Sequence, residues 1–232
     1  MRAFAGPMRR ACLVFAAAAL LVPSSHGAAA SGGTVIGVVT TTLRARPDVR
    51  ITIDPSICGQ TLPDESIAVD SAGRVSGVVA TVASVAATAP PEVSLVNEHC
   101  RFFPHVALLR PKGTVKMTSR DQVMHTMHAS NATGKALFNL SLPIPNIALS
   151  RPVDKPGAVT VSCSTHTWMR GYVFVTDELS AISGADGAFR LDGVPAGTRE
   201  IRFWHEALRA APVRVEVREG QTTTVAVTLT TP

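Results

Sequence analysis

Hydrophobic positions along this chain rarely recur at helical spacing. Short runs rich in Val, Thr, Ile and Phe recur instead between Gly, Pro and Asp punctuation, the pattern of an all-β sandwich arrangement. The alternation predicts strands at Thr34–Thr41, Val49–Ile53, Val75–Val85, Val106–Leu109, Thr114–Ser119, Val159–Cys163, Gly171–Val175, Ala188–Leu191, Arg199–Trp204, Val213–Arg218 and Thr222–Leu229. Residues Ala86–Pro91 read as a small-residue and proline turn or linker. Asn131–Asp154, interrupted by Gly134, Pro143, Pro145 and Pro152 around Phe138, reads as an ordered loop.

The first thirty residues break this pattern. Arg2, Arg9 and Arg10 precede the apolar run Ala11–Val22, and Ala28-Ala29-Ala30 offers small residues for cleavage, the signature of an export signal over residues 1–30. The run is too short to span a bilayer. The expectation is cleavage near Ala30, no membrane anchor afterwards, and a periplasmic or secreted protein. About 200 residues then remain, enough for one large or two small domains. The signal holds three Arg and no acid, leaving 19 Lys and Arg against 17 Asp and Glu, so the mature chain is nearly neutral. With no long basic tract left, nucleic acid is not an expected partner.

The densest chemistry lies in Val161-Ser-Cys-Ser-Thr-His-Thr-Trp-Met-Arg-Gly-Tyr-Val173, which places a thiol, an imidazole and a thioether at Cys163, His166 and Met169. Thiolate and thioether beside imidazole favour copper over hard cations, and two His with one Cys in a plane and a weak axial Met make an electron-transfer copper centre. A zinc site fits less well, because structural zinc sites favour paired Cys or His at closed tetrahedral spacing. The loop supplies three of four ligands. A second imidazole is offered by Met117-Thr-Ser-Arg-Asp-Gln-Val-Met-His-Thr-Met-His-Ala129.

These two segments resemble the cupredoxins, and within them the amicyanin and plastocyanin branch, in the Cys-x2-His-x2-Met spacing and the upstream His-x-x-His. The resemblance implies a Greek-key cupredoxin sandwich over about 99–177 with one type 1 copper per chain, bound by His125, Cys163, His166 and Met169. It implies a one-electron carrier rather than an enzyme, working with a redox partner protein. In the family the loop His is exposed in an apolar docking patch, so His166 would be the electron port, with Thr167, Trp168 and Phe138 around it. Trp168 also reads as ordinary packing against the loop. The loop 131–154 would lie over the metal end. Pro usually precedes the first ligand His and Asn follows it; here Met124 and Thr126 stand in those places. That Asn ties the two ligand loops together, which leaves open whether the Thr126 hydroxyl takes its part.

Three cysteines follow the signal: Cys58, Cys100 and Cys163. A Cys58–Cys100 bridge would leave Cys163 free for copper, and in the chain-entropy model it would stabilise the fold by about 4 kcal/mol. Pairing through Cys163 would destroy the site. His128 reads as a surface or neighbouring imidazole. His99 and His105 could join it in a second metal site, or act as structural histidines, and His205 has no assigned role.

The last third carries a second resemblance. Ser183-Gly-Ala-Asp-Gly-Ala-Phe-Arg-Leu-Asp-Gly-Val-Pro-Ala-Gly-Thr198 looks like the carboxypeptidase regulatory-like domain, a small transthyretin-type sandwich. Its Asp-Gly pair supplies positive φ for a hairpin and Pro-x-Gly a tight turn. The module's usual first strand matches Gly33-Thr-Val-Ile-Gly-Val-Val39, far upstream. The expected organisation is an N-terminal β segment at 31–98 that shares this sandwich, the copper domain at 99–177, and the regulatory-like module at 178–232. The copper segment is either inserted within that sandwich or followed by it in tandem. A non-catalytic carbohydrate- or protein-binding module with a vestigial or copper-storage site is the alternative function.

Overall fold

The computed structural model describes Met1 and residues 32–232; the expected export signal lies outside the described residues. From the N-terminal side the chain forms β1 (Gly33–Thr41). It then makes an arm of two short strands, β2 (Val49–Arg50) and β3 (Thr61–Leu62), around one helical turn, α1 (Pro55–Cys58). After a 3-10 turn at Glu65–Ile67 it returns as β4 (Val79–Ala86). Nine strands follow: β5 (Glu92–Glu98), β6 (Arg101–Phe103), β7 (Val106–Leu109), β8 (Gly113–Ser119), β9 (His125–Asn131), β10 (Ala136–Leu142), β11 (Leu149–Val153), β12 (Gly157–Cys163) and β13 (Arg170–Val175). The chain ends with β14 (Glu178–Ile182), β15 (Ala188–Val194), β16 (Gly197–Trp204), β17 (Val213–Val217) and β18 (Thr222–Leu229). The fold is nearly all β, as the alternation predicts. Among the described residues no helix is long and apolar enough to cross a membrane.

The strands form two sandwiches. The central one packs the sheet β10-β9-β12-β13-β7 against β11-β8-β5-β6. Its core draws Met127, Ala129, Val159, Val161 and Val173 from the first sheet and Leu95, Phe102, Val115 and Met117 from the second. The outer sandwich packs β15-β1-β18 against β14-β4-β16-β17 around Val35, Val39, Leu191 and Val225 on one side and Ala80, Val82, Ile201 and Val215 on the other. Burying one aliphatic side chain contributes roughly 1.5–3 kcal/mol, so each core can hold its own layers. All nine central strands lie in sequence between β4 and β14 of the outer sandwich. The chain leaves and re-enters at one point, where the Ala87 amide donates to the Asp177 carbonyl at 2.8 Å. β5, on the N-terminal side of the 98/99 break expected from sequence, pairs with β8 of the central sandwich.

Three local expectations are corrected. The stretch 131–154 is not a loop: β10 and β11 lie within it, β10 beside β9 and β11 at a sheet edge beside β8. An edge position is where a strand tolerates Pro152, which lacks an amide to donate. The Asp186-Gly187 pair does turn the chain, with Gly187 at φ 69°. It links β14 to β15 across the two sheets, however, and does not close a paired hairpin. His125–Asn131, absent from the expected strands, is β9, and this strand organises the site.

Candidate metal centre

Strand period decides which histidine of the His-x-x-His pair can reach the core. Successive side chains of a strand point to opposite faces, so His125, Met127 and Ala129 of β9 are fully buried while Thr126 and His128 face outward. β12 lies antiparallel beside β9, with Cys163 opposite Met127. Cys163 is thus the inward residue at the end of its strand, one diagonal step from His125. His128 sits opposite Ser162 and away from that face.

The β12–β13 connection brings the third donor. The Met169 amide donates to the His166 carbonyl at 2.9 Å, and the Cys163 amide to the Met169 carbonyl at 3.3 Å, which folds residues 163–169 into a closed loop. Inside it the Cys163 sulfur lies 3.8 Å from His125 Nδ1 and 3.6 Å from His166 Nδ1. The two Nδ1 atoms are 3.1 Å apart. Cys163 is a free thiol, and Met169, 1% exposed, is buried in the same core. The two ligand loops are joined as Ser164 N–H donates to the Thr126 backbone carbonyl at 3.2 Å. The tie left open for the Thr126 hydroxyl is made by the Thr126 main chain.

Each imidazole has its outer nitrogen held by a carboxylate. His125 Nε2–H donates to Asp121 Oδ2 at 2.9 Å, and His166 Nε2–H donates to Asp54 Oδ2 at 3.0 Å. Such partners fix the tautomer and the ring angle of metal-binding histidines. With Nε2 protonated, both Nδ1 lone pairs point at the thiol sulfur, and three electron-rich atoms converge in a buried space. That is unfavourable unless a proton or a cation lies among them.

Electrostatics follow the same geometry. Burial works against a charged ring at His125, but the hydrogen bonds to Asp121 and Cys163 outweigh it and push the ring up to about 9. Burial likewise opposes a thiolate, yet the His125 bond and the amides of His166, Thr126 and Thr165 pull Cys163 down to about 6. Asp121 accepts the His99 and Cys100 amides as well as His125, and despite burial it stays below the usual carboxylate range. Both shifts share one cause, a proton held between His125 Nδ1 and the Cys163 sulfur, and a soft cation would take its place. Residues that fit copper are therefore His125, Cys163 and His166, with Met169 from the same loop.

Cys58 and Cys100 form a disulfide, and it lies beside the centre. The Cys58 and Cys100 sulfurs and a ring nitrogen of His166 all fall within 4.8 Å of one another, as do the Cys100 sulfur, an Asp121 oxygen and a ring nitrogen of His125. The bridge also fastens the arm, since α1 begins just after Asp54. His166 is consequently 0% exposed, which corrects the expectation of an exposed electron port: Asp54 and the arm cover its edge. Trp168 is half-buried, its ring 5.2 Å from His166, and its indole N–H donates to the Cys100 carbonyl at 3.2 Å. Of its two expected roles the packing one is seen, since it lies against the central core and beside the His166 ring. Phe138 packs against the central core.

The other histidines lie elsewhere. His105 is paired with Glu206 of the outer sandwich. His205 accepts from the Ala207 and Leu208 amides, each at 3.1 Å. His99, His105 and His128 do not gather into a second cluster. Asp54 and Asp121 were missed in the sequence, where each stands in a polar turn like many acids that bind nothing; Asp121, four residues before His125, carried the only spacing that could have drawn notice.

No family model matches this chain, and no curated protein does. Among solved structures it is similar to a purple cupredoxin from Nitrosopumilus maritimus, 22% identical over 36% of this chain and 99% of that one, with a TM-score of 0.33. It is also similar to a reduced tryptophan-to-tyrosine mutant of amicyanin, 21% identical over 42% of this chain and 98% of that one, TM-score 0.34. A reduced proline-to-phenylalanine mutant of amicyanin is 20% identical over 42% and 98%, TM-score 0.34. The chemistry of the centre is set by its own donors.

Proposed function

We propose that this chain is a periplasmic or secreted type 1 copper protein that carries single electrons and is not an enzyme. One observation carries the proposal: a free buried thiol with the Nδ1 atoms of two histidines at 3.8 and 3.6 Å, each ring locked by its own carboxylate. Cys163, His125, His166 and Met169 are the residues that would hold one copper per chain. The ion, when bound, supplies a Cu(II)/Cu(I) couple.

The residues keep that exchange simple. β9 and β12 hold His125 and Cys163 from adjacent strands, and the closed 163–169 loop holds His166, so these side chains would keep their places when a bound ion changed its charge. The amides around Cys163 stabilise the thiolate without any proton movement. Because the arm covers His166, Trp168 beside its ring is the residue through which the centre would meet a redox partner. Ile53 and Ile57 beside Asp54 and Met124 beside His125 are exposed, giving apolar surface for the small, weak contacts of redox encounters.

Visible absorption and EPR of copper-loaded protein beside Cys163→Ser test the assignment. The expected result is an intense thiolate-to-copper band in the native chain that the substitution abolishes. Copper bound without such a band would sink the type 1 assignment. A second reading, a non-catalytic carbohydrate- or protein-binding module, draws on one feature: a cavity of about 600 Å³ between the arm, at Val49, Thr52 and Leu62, and Arg101, Tyr172 and Glu206. Glycan capture by a chain that takes up no copper would favour it.

A further inference from the structure

We infer that the cleft beside Trp168 is the docking site of an acidic redox partner protein, whose carboxylates enter among Arg46, Arg50 and Arg170. The inference rests on the type 1 reading and gives its partner a chemistry.

Charge with no use inside the molecule marks the site. Arg46, Arg50 and Arg170 all line the cavity of about 600 Å³ between the arm and the 163–169 loop. All three are exposed, and the ion pairs among the described residues involve none of them. The acids of the same lining are engaged. Glu65 pairs with Arg101, Glu206 pairs with His105, and Asp64 accepts the Ser66 amide at 2.9 Å at the start of the 3-10 turn. Asp48, which stands between two of these arginines in sequence, does not line the cavity. Even with Asp64 counted against them, the three guanidinium groups leave the mouth net positive, whereas residues 31–232 as a whole are nearly neutral. A guanidinium presents a planar fork of donors that matches a carboxylate, so the mouth selects anionic groups.

Position selects the kind of anionic partner. Trp168 lines the same cavity, and its ring lies 5.2 Å from that of His166. A group seated here is separated from a metal-binding imidazole by one indole, a closeness that serves an electron partner and adds nothing to holding a polymer. Ile53, 40% exposed, also lines the cleft and offers an apolar contact within the charged rim. Arg50 ends β2 and Arg170 begins β13, so the cleft spans the arm and the strand that leaves the metal loop. Exposed charges placed in this way govern the rate of encounter more than the final affinity.

Two measurements on the full chain test this, each at low and high salt. In the first, metal-free Trp204→Phe, whose only tryptophan is Trp168, is titrated with a glutamate decapeptide, a glutamine decapeptide and polygalacturonate, and the fluorescence is followed. The expected result is a salt-sensitive change with the glutamate peptide and none with the glutamine peptide. Adding Arg46→Gln/Arg50→Gln/Arg170→Gln should weaken binding about tenfold, roughly 0.5 kcal/mol for each exposed charge. Arg46→Gln/Arg50→Gln, which leaves the residues beside Met169 untouched, should show a smaller loss in the same direction. In the second measurement, reduced copper-loaded protein gives one electron to hexacyanoferrate(III) or to tris(phenanthroline)cobalt(III). The triple variant should slow the anionic oxidant about tenfold at low salt and leave the cationic one no slower. Binding or rates that the arginine substitutions leave unchanged overturn the inference. So does a glutamine peptide that binds equally well, or polygalacturonate that binds more tightly than the glutamate peptide. Failure of the type 1 reading looks different: copper-loaded protein without the visible band, whatever the peptides do.

Discussion

The two sandwiches of this molecule are built on the same alternation but bury different things. The outer one encloses Val, Leu, Ile and Phe, with His205 taken up by local amides. The central one, at one end, buries two imidazoles, a free thiol, a carboxylate and a disulfide in a single cluster. Buried polar groups cost stability unless they are satisfied, and nothing in holding nine strands together requires them. An aliphatic core is enough for a sandwich, as its neighbour demonstrates. The polar cluster is therefore the part of the chain shaped by chemistry.

Substitutions can break this contrast. The largest effect is expected from Cys58→Ser/Cys100→Ser, which reopens a separation of 42 residues and should lower unfolding free energy by about 4 kcal/mol in urea titrations. A loss near zero would mean that the unfolded chain gains no freedom when the bridge is removed. Next comes Leu191→Ala in the outer core, about 3 kcal/mol from transfer and cavity terms, with the copper absorption band unchanged. A bleached band there would show that the two cores are not separate.

At the junction, burial opposes a charged His105, but Glu206 and Glu65 outweigh it and raise the ring above its ordinary 6.5. Its contribution is then complete below about 6.5 and is lost as pH rises through the higher folded value. His105→Gln should cost about 1.5 kcal/mol at pH 6 and much less at pH 9. A cost independent of pH would exclude an ionic pair. Asp54→Asn is the mildest for stability, within about 0.5 kcal/mol for a half-exposed group, yet copper affinity should fall roughly tenfold or more. Unchanged affinity would leave the carboxylate as cover only.

Much of this was legible in the sequence. Cys163, His166 and Met169 stand out because they fall within seven residues, and the structure buries all three; β18 reads from its alternation to the residue. β9 was less visible: its inward positions are His125, Met127 and Ala129, a polar, a flexible and a small residue rather than the aliphatics that mark a strand. β10 and β11 hid for the same reason, since both are largely exposed and β11 contains Pro152. What sequence could not supply was the cover over His166. Asp54 is more than a hundred residues away from it, and only the folded arm brings the two together.

The single crossing at Ala87 and Asp177 has a mechanical meaning. β1 and β18, near the two ends of the described chain, run parallel and adjacent, so a pull applied at those ends is taken first as shear between them. The inserted sandwich hangs off this line of force like a lantern on a bracket, and tension would not reach the cysteine and histidines until the bracket itself had given way.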